Sequence, residues 1–179
     1  VDGTFGAPDD DFTIINNGKF VKIGGTGVTT IDVPFENNGI IGAETGQFHF
    51  TDSITFNSGG KLGGGVQFDA PLTLPSASVL GGNGNIMGNI TTGGQVAPGN
   101  SIGALSITGD LPLLTTSNSL FEIEVDHDGD PTDMLSVSGT LTLAGSLSLE
   151  FLSTVDPVTT DTFTLYSANT LEGAFSNIA

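Results

Sequence analysis

Between Leu80 and Thr108 the chain reads LGGNGNIMGNITTGGQVAPGNSIGALSIT, where apolar stretches of a few residues alternate with Gly and Asn at nearly even spacing. A globular core wants longer helices or strands than these breaks allow. Gly and Asn accept a positive φ at low steric cost, so each can end a very short strand and turn the chain. The pattern predicts short strands coiled into a stacked β-solenoid, and it points toward a surface or scaffold role more than toward chemistry.

The same rhythm begins at Phe12. FTII precedes Asn16-Asn17-Gly18, KFVKI precedes Gly24-Gly25, and VTTIDVPF precedes Glu36-Asn37-Asn38-Gly39. IIGA, QFHF, SITF and VQF follow between further Gly-rich breaks. The spacing is a degenerate repeat of roughly 20 residues, in the range of parallel β-helix rungs. Alternate strand residues face in and out. Phe20, Val21 and Ile23 are expected to share one strand, Phe48 and Phe50 to face inward with His49 outward, and Ile54, Phe56, Val66 and Phe68 to face inward. Each inward residue then stacks on its equivalent about 4.8 Å away, giving roughly eight rungs and a rod of about 40 Å. Asn16, Asn17, Asn37, Asn38 and Asn57 are expected to form ladders at the turns.

Pro112 and the polar run TTSNS mark a change. Beyond them LFEIEV, MLSVSG, TLTLAG, SLSLEFL and TFTLYS alternate cleanly over longer stretches, with Phe121, Ile123 and Val125 on one face and Glu122 and Glu124 on the other. The predicted division is an acidic N-terminal arm or linker over 1–11, solenoid rungs over 12–114, and terminal rungs or a cap over 115–179, with longer and partly antiparallel strands.

Val, Ile, Leu, Phe, Thr and Ser dominate and no window of twelve residues holds a 3.6-residue period, so almost no helix is expected. Twenty acidic residues stand against three lysines, Lys19, Lys22 and Lys61, and no Arg, for a net charge of −17. Nucleic acid and anionic lipid need Lys or Arg to replace counterions, so both are excluded as partners. Without Cys the chain has neither disulfides nor thiolate metal sites. It shows no signal peptide and no apolar run long enough to span a bilayer.

The densest acidic stretch is Asp126-His127-Asp128-Gly129-Asp130-Pro131-Thr132-Asp133. Asp126, Asp128, Asp130 and Asp133 offer oxygen ligands suited to Ca²⁺, although Pro131 and Val137 stand where an EF-hand needs Gly and Glu. A solvated turn accounts for the same residues. Gly81-Gly82-Asn83-Gly84-Asn85-Ile86-Met87 partly matches a calcium-binding nonapeptide but has Asn85 for the Asp and no tandem copy. Asp9, Asp10 and Asp11 read as a solvated run. No catalytic or cofactor-binding residue emerges. His49 and His127 lack a nucleophile motif or metal-ligand spacing, Glu122 and Glu124 reflect strand alternation, and the absence of Arg weighs against lyase-type chemistry. Sugar binding lacks its usual Trp and Tyr platforms.

Several stretches carry a resemblance. Gln95 to Leu105 contains Val96-Ala97-Pro98-Gly99-Asn100-Ser101-Ile102-Gly103-Ala104-Leu105, which resembles the V-x-PGNS-x-G-x-L motif of autotransporter passenger domains with their associated β-strand repeats. Asp133 to Gly139 is similar to the D-x-L-x-V-x-G element, Thr140 to Leu149 to T-L-x-L-x-G-x-L-x-L, and Thr162 to Leu165 with Gly173 to Phe175 to the usual ending. The resemblance implies a right-handed parallel β-helix on the outer surface of a Gram-negative-type cell, serving adhesion, display or matrix roles. No C-terminal translocator barrel follows, so either a fragment or a small building block is expected.

A solenoid has two open ends, and no capping helix is evident at either. The sequence therefore predicts an extracellular, non-catalytic element that associates with itself head to tail into a filament. The alternative is a monomeric passenger fragment of a larger adhesin that binds a surface or matrix ligand. A glycan-active enzyme is a distant third reading.

Overall fold

The computed structural model describes residues 2–6, 12–125, 131–153 and 155–179. Among them there is no helix, and every strand belongs to a parallel β-solenoid of eight coils with three faces. The first face runs from Gly3–Gly6 through Val28–Asp32, Gln47–Phe50, Val66–Phe68, Gly84–Met87 and Ala104–Thr108 to the leading halves of Met134–Leu143 and Tyr166–Gly173. The second carries Ile14–Asn16, Phe35–Asn37, Ile54–Phe56, Leu72–Leu74, Ile90–Thr92 and Leu111–Pro112, then the trailing halves of the same two long strands. The third carries Lys19–Lys22, Ile40–Ala43, Lys61–Leu62, Val79–Gly82, Gln95–Pro98, Asn118–Ile123, Ser146–Phe151 and Asn177–Ile178.

All named strand pairs are parallel, because each coil returns the chain to the same face in the same direction. The antiparallel part of the C-terminal expectation is one short return. The Glu124 amide donates to the Pro131 carbonyl, the Asp133 amide donates to the Glu122 carbonyl, and Ile123 bridges Thr132. Contacts between coils join residues about 20 apart early in the chain, such as Asn16 and Asn37 at 21, and about 30 apart late, such as Gly145 and Ser176 at 31. The third face crosses residue 114 without a break in pairing.

The core is a set of inward columns. On the third face Phe20, Ile41, Leu62, Leu80, Val96, Ser119, Leu147 and Ile178 align in unbroken register. On the first, Phe48, Val66, Ile86, Ile107 and Val137 are all buried. The phenylalanines fill the N-terminal interior. Phe20 stacks on Phe48 at 4.8 Å between centroids and tilts against Phe35 at 5.0 Å, while Phe35 meets Phe50 edge-on at 5.2 Å. Such offset and edge contacts are the favourable aromatic geometries.

Asn ladders run along the corner between the second and third faces. The inner one is buried. Asn16 Nδ2 donates to Asn37 Oδ1 at 2.6 Å, and Asn37 Nδ2 donates to the Gly39 carbonyl at 2.8 Å. The outer one is exposed, with Asn57 donating to Asn38 and Asn38 to Asn17, both at 2.8 Å.

Ile23 departs from expectation. It lies outside and exposed, while Lys22 is buried in its stead. Phe20 and Lys22 share strand parity, so the alternation turns both inward.

Candidate functional site

The acidic stretch resolves into one structural carboxylate and a segment beyond view. Asp126, Asp128 and Asp130 lie outside the described residues, as do Asp9, Asp10, Asp11 and His127. Asp133 is 1% exposed. Its Oδ1 accepts the Gly103 amide at 2.8 Å and its Oδ2 accepts the Glu122 amide at 2.9 Å. Burial raises its carboxyl above the usual aspartate range, and the two amides partly oppose that. Among the described residues no three His, Asp or Glu side chains come together as a metal site.

Asp133 works on the PGNS turn. Gly99 has φ 87° and Ser101 φ 75°. The Gly99 amide donates to the Gly82 carbonyl at 3.0 Å. A Cβ on Gly99 would run into the Ser101 carbonyl and the Asp133 carboxylate, so this turn needs glycine for space as well as for φ. The nonapeptide-like stretch runs through the end of Val79–Gly82 and all of Gly84–Met87, with only Asn83 between the two strands. Asn83 Oδ1 accepts the Ala104 amide at 3.0 Å, and Asn85 Oδ1 accepts the Thr108 hydroxyl at 3.1 Å.

Glu122 faces outward and stands in register with Glu150. Burial lifts its carboxyl above the usual range, and the charges of Asp133 and Glu150 add to that. His49, outward as expected, contacts the Asp69 carboxylate at 2.8 Å.

The ends of the stack behave differently from its middle. Phe5 is in register with Ile31, yet Phe5 is 55% exposed and Ile31 1%. Leu171 is in register with Leu141, at 57% against 0%, and Ile178 with Leu147, at 67% against 7%. The same inward parity therefore leaves apolar side chains bare wherever no further coil covers them. The outer edges of Gly3–Gly6, Ile14–Asn16 and Lys19–Lys22 at one end, and of Tyr166–Gly173 and Asn177–Ile178 at the other, carry no further strand among the described residues.

At the N-terminal end sits an ion pair that alternation alone does not reveal. The buried Lys22 ammonium meets Asp2 Oδ1 at 2.6 Å, the Gly24 carbonyl at 3.0 Å and the Thr29 hydroxyl at 3.2 Å. Asp2 Oδ2 accepts the Gly27 amide at 3.1 Å. The bond to Lys22 holds the Asp2 carboxyl below its ordinary value. The available signal is the parity of Lys22 with Phe20. The partner twenty residues away has none.

These features define a parallel β-solenoid with apolar, strand-edged ends. No family model, no curated protein and no solved structure matches the chain.

Proposed function

We propose that the chain is a non-catalytic structural and adhesive element of an outer cell surface, extended by end-to-end association of copies into a filament. The observation that carries this is the contrast between Leu141 and Leu171, and between Leu147 and Ile178. Register partners are buried in the middle of the stack and bare at its end. Bare strand edges are templates for further pairing. A heterologous contact of this kind repeats without closing. The net charge of −17 opposes lateral clumping of such fibres. The autotransporter-like PGNS and D-x-L-x-V-x-G stretches support an outer-surface setting of the Gram-negative type.

A second reading rests on the same ends. Further coils of one longer chain would cover them as well, which makes the solenoid a passenger segment of a larger adhesin with a surface or matrix ligand.

Electron microscopy of the purified chain, with and without a chelator, tests the proposal. Filaments at low micromolar concentration are expected. Filaments that dissolve in chelator add Ca²⁺ to the assembly and bring the stretch from Asp126 to Asp133 into it. Isolated short rods in both conditions sink the filament reading and favour the passenger segment.

A further inference from the structure

We infer that copies join by continuing the stack in register, each copy's Gly3–Gly6 lying between its own Val28–Asp32 and the neighbouring copy's Tyr166–Gly173, with Gly3 over Ala168 and the Asp2–Lys22 pair setting that strand in place. This rests on the end-to-end reading above and specifies its joint.

Two columns of the third face supply the register. Lys19 and Phe20 open them in the first coil, and Asn177 and Ile178 close them in the last. A further coil at the strand spacing of about 4.8 Å puts the neighbour's Lys19 beside Asn177 and its half-buried Phe20 over the bare Ile178. On the second face the same step brings Ile14–Asn16 over the exposed Leu171. Only the head-to-tail arrangement keeps the strands of all three faces parallel, as they are throughout the stack.

Gly3–Gly6 is the strand on which the first face of this joint depends. All four of its residues are exposed, and it pairs along one edge with Val28–Asp32. Asp2 sets its position. Its carboxylate lies against Gly25 and Gly27, where a Cβ would collide with it, and it neutralises an ammonium sunk in the stack. Without Asp2 the buried Lys22 ammonium loses the carboxylate contact it makes at 2.6 Å. In this arrangement Asp2, one residue before Gly3, comes beside the neighbour's Ser167, and it also sets the edge that Gly3–Gly6 offers to the joint.

The test uses the absence of cysteine in the chain. In the double variant Lys19→Cys with Asn177→Cys the two thiols sit at opposite ends of one copy. They come within disulfide reach only across an in-register joint, where Cα atoms of neighbouring strands are about 4.8 Å apart. Oxidation of its filaments is expected to yield a ladder of covalent oligomers. Helical reconstruction of wild-type filaments is expected to show an axial rise of about 38 Å per copy, the height of eight coils at strand spacing. Asp2→Asn is expected to raise the concentration needed for filaments on the order of tenfold, with the circular dichroism spectrum of the dilute chain unchanged. Where the wild type forms filaments, the absence of a covalent ladder from the oxidised double-cysteine variant, or a wild-type rise clearly different from about 38 Å, overturns the joint and leaves the end-to-end reading standing. Failure of the wild type to form filaments overturns that reading itself. Asp2→Asn filaments at the wild-type threshold remove Asp2 from the joint.

Discussion

Leu141 and Leu171 occupy the same column of the second face, one coil apart, and face the same way. Leu141 is buried and Leu171 is half exposed. Nothing local distinguishes them. The N-terminal end repeats the lesson with Ile31 and Phe5. In a solenoid the inward face of a strand is set by its own alternation, but its burial is set by the coil above and the coil below. The end coils are therefore made of core-type residues with half their neighbours missing.

The largest break in this comparison comes from truncating both leucines. Leu141→Ala is expected to cost about 2–5 kcal/mol in urea unfolding of the dilute chain, the range for a buried Leu that leaves a cavity. Leu171→Ala is expected to stay within about 0.5 kcal/mol under the same conditions, as exposed positions do. Equal losses would mean that the last coil is as well covered as the one before it.

The Asn ladders repeat the contrast across one corner. Asn37 is buried and bonded within the inner ladder, and Asn38 is half-buried within the outer one. Asn37→Ala is expected to cost about 1–3 kcal/mol, because it strands buried polar partners. Asn38→Ala is expected to cost less than about 0.5 kcal/mol. Thermal melts of the two variants side by side decide it.

The smallest effect belongs to the carboxylates of the third face. The folded-state value of Glu122 lies above its ordinary value of 4.5. Its favourable contribution is therefore complete below that pH and fades as pH rises through the raised folded value. Glu122→Gln mimics the protonated form. It is expected to melt like the wild type at pH 4 and slightly higher at pH 7, by under about 2 °C. Asp2 runs the other way. Its folded-state value lies below 3.8, so its contribution is present above that pH and is lost as pH falls through the lower folded value. A melting temperature for Glu122→Gln below that of the wild type at pH 7 would contradict the sign for Glu122.

Much of the architecture is legible in the sequence. The parity of Phe48, His49 and Phe50, of Phe121 to Val125, and of the Asn residues at the turns all came through, because period-two alternation and Gly/Asn turns are local signals. The sequence places Ile23 in one strand with Phe20 and Val21, but that strand ends at Lys22, which takes the inward position by parity with Phe20. By sequence Asp133 belongs with the calcium-suited aspartates of its loop. Its two amide partners belong to residues 30 positions earlier and 11 positions earlier, and no spacing rule connects them.

By itself, then, the sequence determined that this chain forms short strands, breaks them at Gly and Asn, and stacks them with apolar columns inside. Those outcomes follow from backbone freedom and side-chain alternation within a few residues. The tertiary structure alone decided the three-faced register, the burial of Lys22 against Asp2, the use of Asp133 to hold the PGNS turn, and which core-type residues stand bare at the ends. Each of these depends on contacts made between coils, where the energy of a side chain is set by neighbours some 20 to 30 residues away.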